Sequence, residues 1–306
     1  MLQRNMIKDE NLAKAEDLKQ KAERIYKENF SKKPSFTRTQ GLGVSIQLMK
    51  NAANHFRLVK DWKNAANAFL KAAEFEKTIG STACSTYNEA AMMQMKYDKL
   101  AAVKTLKLRV EALSAQDKVN WAIDAMKQIG EIYEGEKEYL LAAENYNEIF
   151  ELYKKIDVLT TPLCRFDLLL KAAELKVVAE PSRMHIIEAI GVYENVISKY
   201  VKVGQNIEKI YLRMILLHLA NGGADGMDEI VQKFLSLDFR LKKSKAQESV
   251  EFLIKAFKEK DFYKFSFGYW GYWNTQREKP LELWSEKVLE RIQEKMIQRG
   301  EDKSCS

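Results

Sequence analysis

Apolar positions recur at helical spacing along almost the whole chain, and the stretch from Asn51 to Phe75 shows the unit that is repeated. Ala52, Ala53, Phe56 and Val59 fall on one stripe, and Trp62, Ala65, Ala66, Phe69, Ala72 and Ala73 on a second. The pattern predicts two short helices with a turn between them. Alanine takes up little room, so the pair approaches closely and an aromatic ring of one helix fills the space left by the other. Neither stripe is buried within one pair, so pairs must stack on one another.

The same signature returns downstream. Ala65/Ala66, Ala101/Ala102, Ala142/Ala143 and then Ala189 alone each begin the second helix of a unit, about 36 to 47 residues apart, with Phe69, Thr105, Tyr146 and Tyr193 four positions beyond. This spacing resembles that of tetratricopeptide-like repeats, with helices longer than the usual unit of about 34 residues allows, and its drift predicts an irregular, twisted array. A first amphipathic helix is expected over Asp9–Asn29. The second unit is read as Thr82–Met95 and Lys99–Leu113, and the third as Lys118–Glu134 and Glu138–Lys154, with Gly135 at a helix end that wants a positive φ. Thr160, Thr161 and Pro162 open the fourth, and Pro181 with Ser182 divides it.

Beyond Val203 the periodicity changes. Ile207–Leu219 is apolar nearly all round, as in a helix buried on most sides, and Asn221–Gly226 (NGGADG) is the clearest break in the chain. Met227–Phe234, Ser244–Lys258, an aromatic run Phe262–Trp273 and a helix Leu281–Gln298 follow. The expected organisation is all-α: a helical-hairpin array over 1–220, a C-terminal helical bundle over 221–298 that caps it, and a flexible tail over 299–306. The aromatic run is read as the core of that bundle in preference to a ligand site.

One segment breaks the pattern early. Phe30–Gly43 (FSKKPSFTRTQGLG) reads as a loop with two phenylalanines, and Lys27, Lys32, Lys33 and Arg38 lie in or beside it. Phenylalanines in a basic loop either fold back on the neighbouring helices or insert into something else.

Composition narrows the class. Only 13 Gly and 4 Pro occur in 306 residues, which fits a mostly helical chain. No run approaches the about 18 apolar residues of a membrane span, and Met1–Glu10 lacks a signal-type core, so a cytosolic protein is expected. Cys84, Cys164 and Cys305 show no metal-ligand spacing, and the first two read as reduced, buried residues. The net charge of +7 favours acidic partners or anionic lipid without choosing between them. No aromatic and basic interleaving or groove-binding motif marks a nucleic-acid reader.

Chemistry is hard to place. His55, His185 and His218 sit on different expected helices, none with a second ligand one turn away. Gly41-Leu42-Gly43 has neither the length nor the lysine of a phosphate loop, and no nucleophile stands in a recognisable setting. No catalytic residue, metal or cofactor is therefore expected, and Glu131, Glu134, Glu136 and Glu138 read as a solvated face.

Ala52-Ala53-Asn54-His55-Phe56, Lys60-Asp61-Trp62, Ala65-Ala66-Asn67-Ala68-Phe69, Ile129-Gly130-Glu131-Ile132-Tyr133-Glu134, Ala142-Ala143-Glu144-Asn145-Tyr146, Leu169-Leu170-Lys171-Ala172-Ala173 and Leu289-Glu290-Arg291-Ile292 occur in an order that resembles the soluble NSF attachment proteins, closer to their α/β than their γ branch. The resemblance implies an adaptor without activity of its own. Such adaptors wrap a syntaxin-type SNARE four-helix bundle, recruit a hexameric AAA ATPase of the NSF type, and sit peripherally on the cytosolic face of membranes. It also implies site residues. Phe30, Lys32, Lys33 and Phe36 match a membrane-touching loop. Lys60, Lys96 and Lys118 fall where the family carries SNARE-facing cations, and are expected on one partner-facing side. Asp124 and Asp167 stand where lysine is common, with Lys127 and Arg165 within a turn as substitutes. Glu259, Asp261, Glu301 and Asp302 are the acids available to recruit the ATPase, in a mixed-charge segment and a tail without the family's terminal leucine. A scaffold subunit of another assembly is the alternative use of the same fold.

Overall fold

The computed structural model describes residues 2–155, 162–275 and 282–301. Among them are fourteen α-helices, one 3-10 turn and no strand. The chain divides into two compact units, 1–136 and 137–306.

Unit 1 holds α1 (Leu2–Phe30), α2 (Phe36–Leu58), α3 (Trp62–Thr78), α4 (Cys84–Gln94), α5 (Lys99–Ser114) and α6 (Val119–Gly135). Each helix packs on the next through a short turn, so the six run alternately up and down. The repeated alanines do what their size allows. Ala52, Ala53, Ala65, Ala66, Ala72, Ala73 and Ala102 have no exposed surface, and Phe56, Phe69 and Phe75 fill the space between them. The ring of Tyr26 lies against Phe75 at 3.8 Å between centroids and against Phe30 at 5.3 Å, which joins α1 to α3.

The expected loop over 30–43 is shorter than its composition suggested. Only residues 31–35 leave the helices; Ser35 caps α2 by accepting from the Arg38 N–H at 3.2 Å, and Gly41 and Gly43 are helical. Gly41 answers a packing need, since a Cβ there would stand 2.5 Å from the Asn29 side chain on α1. Gly135 takes no positive φ; that conformation belongs to Lys137, and equally to Lys60, Asp117 and Lys260, each just past a helix end. At Lys60 the pattern is a Schellman turn: Lys60 N–H donates to Arg57 O at 3.0 Å and Asp61 N–H to Phe56 O at 2.9 Å, and the Asp61 side chain then caps α3. Lys260 and Asp261 repeat it, at 3.1 Å each, before the helix that begins at Phe262. Cys84 is half-exposed rather than buried and accepts from Gln116 Nε2 at 3.0 Å. The Cys164 side chain, Thr160, Thr161 and Cys305 lie outside the described residues.

Unit 2 holds α7 (Tyr139–Lys155), α8 (Pro162–Ala179), α9 (Arg183–Lys202), α10 (Glu208–Gly222), α11 (Met227–Leu237), the 3-10 turn Phe239–Lys243, α12 (Lys245–Lys258), α13 (Phe262–Thr275) and α14 (Glu282–Glu301). The expected boundary at 220/221 falls inside it. Gly223 and Gly226, at φ 80 and 71, make the tight connection that NGGADG announced, but one continuous core runs from Leu170 to Met296 across it. The reason is α10, apolar on most sides, which packs on α9, α12 and α14 together.

At the centre of this core sits a buried ion pair. Arg213 donates to Glu174 Oε1 at 3.0 Å, Tyr193 donates to the same oxygen, and the guanidinium lies over the Trp273 and Trp284 rings at 5.4 and 6.0 Å. Burial raises the Glu174 carboxyl, against the opposing pull of Arg213, and holds the Tyr193 hydroxyl well above its ordinary value. The aromatic run of α13 divides between two faces. Phe265, Tyr269, Tyr272 and Trp273 are core, as expected, whereas Tyr263, Phe267 and Trp270 are exposed.

Candidate partner-binding surfaces

The up-and-down order of unit 1 fixes where its turns lie. Turns 59–61 and 95–98 occupy one edge, and turns 31–35, 79–83 and 115–118 the other. The ion pair from Lys99 to Glu136, 2.8 Å, sits on the first edge and the Gln116 to Cys84 bond on the second, as this order requires. Lys60 and Lys96 therefore share an edge, both exposed. Lys118, also exposed, stands on the opposite one. The edge differs for Lys118 because an odd number of helices separates its turn from the other two.

Lys127 is half-buried on α6 and lies 3.9 Å from Asp124, so the exchanged acid answers its neighbouring cation. In unit 2 the Arg165 guanidinium lies 5.8 Å from the Tyr153 ring, while Asp167 accepts from the Tyr200 hydroxyl at 2.7 Å. Both substitute cations are thus engaged within their own unit.

The edge that carries Lys118 also carries the 31–35 turn. Phe36 is 79% exposed and Phe30 51%, so neither ring is folded away, and Lys32 and Lys33 stand beside them in solvent. Phe30 keeps one side against Tyr26, and Lys32 donates to Asn29 Oδ1 at 3.0 Å. An apolar tip flanked by cations is the form of an interfacial anchor.

The candidate ATPase-recruiting acids are less free. Glu259 accepts from Lys264 at 2.6 Å, and this neighbour holds the Lys264 ammonium above its ordinary value; Asp261 caps α13 by accepting from the Lys264 N–H at 2.8 Å. Lys255 and Lys258 are exposed beside them, so the surface is mixed in sign. Glu301 ends α14, its side chain outside the described residues, as is Asp302.

Sequence periodicity missed a groove of 280 Å³ between α4, α5 and α6. Met92, Met95, Leu106 and Ile132 line it, and Lys99, Gln128 and Glu131 form its rim. Trp121, 63% exposed, stands on α6 as well. The signal was present in Met92-Met93-Gln94-Met95, where Met93 turns inward and the other two methionines remain at the surface.

A family signature described as "Soluble NSF attachment protein, SNAP" matches residues 13–297, from within α1 to within α14. The chain belongs to the soluble NSF attachment protein family. A search of curated proteins returns no match. Among solved structures, the chain is similar to one described as "Crystal structure of BtubC (BKLC) from P. vanneervenii", at 12% identity and a TM-score of 0.35, over 78% of this chain and 93% of that one. The SNAP family is one of helical-repeat adaptors, in accord with the all-α hairpin architecture. No helix among the described residues is long and apolar enough to cross a membrane.

Proposed function

We propose that this SNAP-family chain is a non-enzymatic adaptor of the α/β type that binds assembled SNARE bundles and recruits an NSF-type ATPase to dismantle them in vesicle transport. The observation that carries this reading is the family signature over 13–297. The exposed Phe30, Phe36, Lys32 and Lys33 support a peripheral contact with the cytosolic face of a membrane. Lys60 and Lys96 support an acidic, rod-shaped partner along their shared edge, where cations raise the on-rate and fix orientation. Lys118, Lys127 and Arg165 are proposed as secondary contacts. At the other end, Glu259 and Asp261, with Glu301 and Asp302, are the acids offered to the ATPase.

The test is reconstitution. A purified SNARE four-helix bundle, an NSF-type ATPase and ATP are combined with the chain, and bundle disassembly is followed over time. Disassembly that depends on the chain, and bundle retention weakened by Lys60→Glu with Lys96→Glu, are expected. A chain that retains no bundle and supports no disassembly overturns the reading.

A further inference from the structure

A second apolar projection lies in unit 2, on the corner formed by the α9–α10 turn and the 3-10 turn. Phe239 is 80% exposed, Val203 54% and Leu237 44%. This corner is held rigid. Arg240 donates from Nη1 to Gly204 O at 3.0 Å and from Nη2 to Gln205 O at 2.9 Å, while its Nε and Nη2 grip the Asp238 carboxylate at 2.8 and 2.7 Å. The Asp238 carboxylate also accepts the Arg240 N–H at 3.0 Å, which starts the turn. One guanidinium thus fastens both turns together, and Phe239 is presented on a fixed support.

The exposed charges around it are mostly positive, and the one acid at the α9–α10 turn, Glu208, accepts from Asn206 Nδ2 at 3.2 Å. Lys202, Lys242 and Lys243 are exposed and have no acidic partner among the described residues. Lys245 meets only the exposed Glu248, at 2.7 Å. The nearest acid, Asp238, is buried and occupied by Arg240, which holds its carboxyl below the ordinary value.

We infer that the Phe239 corner is a binding site for an anionic lipid surface, with Phe239, Leu237 and Val203 entering the acyl boundary and Lys202, Lys242 and Lys243 meeting the headgroups. The occupant follows from shape as well as charge. A ring that projects outward gains contact on every side from a medium that moulds itself around it, as a bilayer interface does. Dispersed lysine ammoniums on flexible stems suit a laterally mobile field of anionic headgroups, to which each contributes on arrival. A single short anchor binds weakly and reversibly, so this corner is a second contact, distinct from the Phe30 and Phe36 turn. It does not depend on the SNARE-adaptor reading.

Flotation of the full chain with phosphatidylcholine vesicles, with and without about 30% phosphatidylserine, tests it. Phe30→Ser with Phe36→Ser removes the N-terminal anchor, and binding to the anionic vesicles is expected to persist in that background. Adding Lys242→Glu with Lys243→Glu is expected to lower it by at least about 20-fold, since each lysine near such a surface is worth roughly fivefold and reversal turns attraction to repulsion. Phe239→Ser alone is expected to weaken it at constant charge. These three side chains lie outside the Arg240 clamp, and unchanged thermal unfolding verifies that the variants fold. Equal flotation of the corner variants and their parent overturns the inference, as does a parent that already fails to float. Loss of SNARE-bundle retention with flotation unchanged also overturns it, and makes the corner a protein contact.

Discussion

Lys60 occupies a left-handed conformation that disfavours any residue with a Cβ, and yet the position carries a lysine on an exposed edge. Backbone and side chain pull in opposite directions. Lys60→Gly relieves the strain and is expected to raise the unfolding free energy by about 1 kcal/mol, while retention of a SNARE bundle falls. Chemical denaturation and pull-down on the same preparation read both signs. His218 concerns charge. Burial holds its imidazole below the ordinary value of 6.5, reinforced by Lys233 and opposed by Glu194. The unfolded chain therefore takes up this proton first. Its contribution to stability is complete above about pH 6.5 and is lost as the pH falls through the folded-state value. Denaturation profiles at pH 7 and pH 5 should differ, and His218→Gln should shrink that difference. Equal shrinkage by His55→Gln, whose ring meets Asn11, would remove His218 as the source.

Among the elements, α1 and α2 depend on a close approach that no periodicity argument anticipates. Gly41→Ala places a methyl group against Asn29, which is itself tied to Ile25 O at 2.8 Å, and is expected to cost about 1–3 kcal/mol. Asn29→Ala in the same chain should return much of it, a coupling that a double-mutant cycle measures. The helices themselves were legible from the chain. The stripe around Ala65 and Phe69 named its own core, and the capping residues Asp61, Asp98 and Ser182 stand where helices begin. Composition near Gly41 and Gly43 points instead to a loop, because two glycines stand close together there. Their helical state is decided by the partner helix, which a single stretch does not contain. Edge placement was also hidden, because it depends on counting helices rather than on the residue type of Lys118.

For the molecule as a whole, the Glu174 and Arg213 pair decides how unit 2 coheres. It draws on α8, α9, α10, α13 and α14, elements expected to belong to two different domains. Arg213→Met leaves a carboxyl without its partner in a dry core, and a loss of about 3–5 kcal/mol is expected. Pairing it with Glu174→Leu should be milder than the single change, because no lone charge remains. A single unfolding transition for 137–306, shifted as one by Arg213→Met, is the expected calorimetric result. Two transitions, only one of them displaced, would restore a boundary near 220. Long-range pairing of this kind leaves no trace in local spacing, which is why it was invisible in the chain.

The column of rings Phe30, Tyr26 and Phe75 runs from the exposed tip of the first turn to the buried side of α3. Its outer member is half in solvent and its inner member is sealed. The middle ring therefore has a magnetic environment set from both ends. Tyr26 is a built-in reporter: resonances of its ring protons will move when Phe30 leaves water for a bilayer, and no label need be attached to see it.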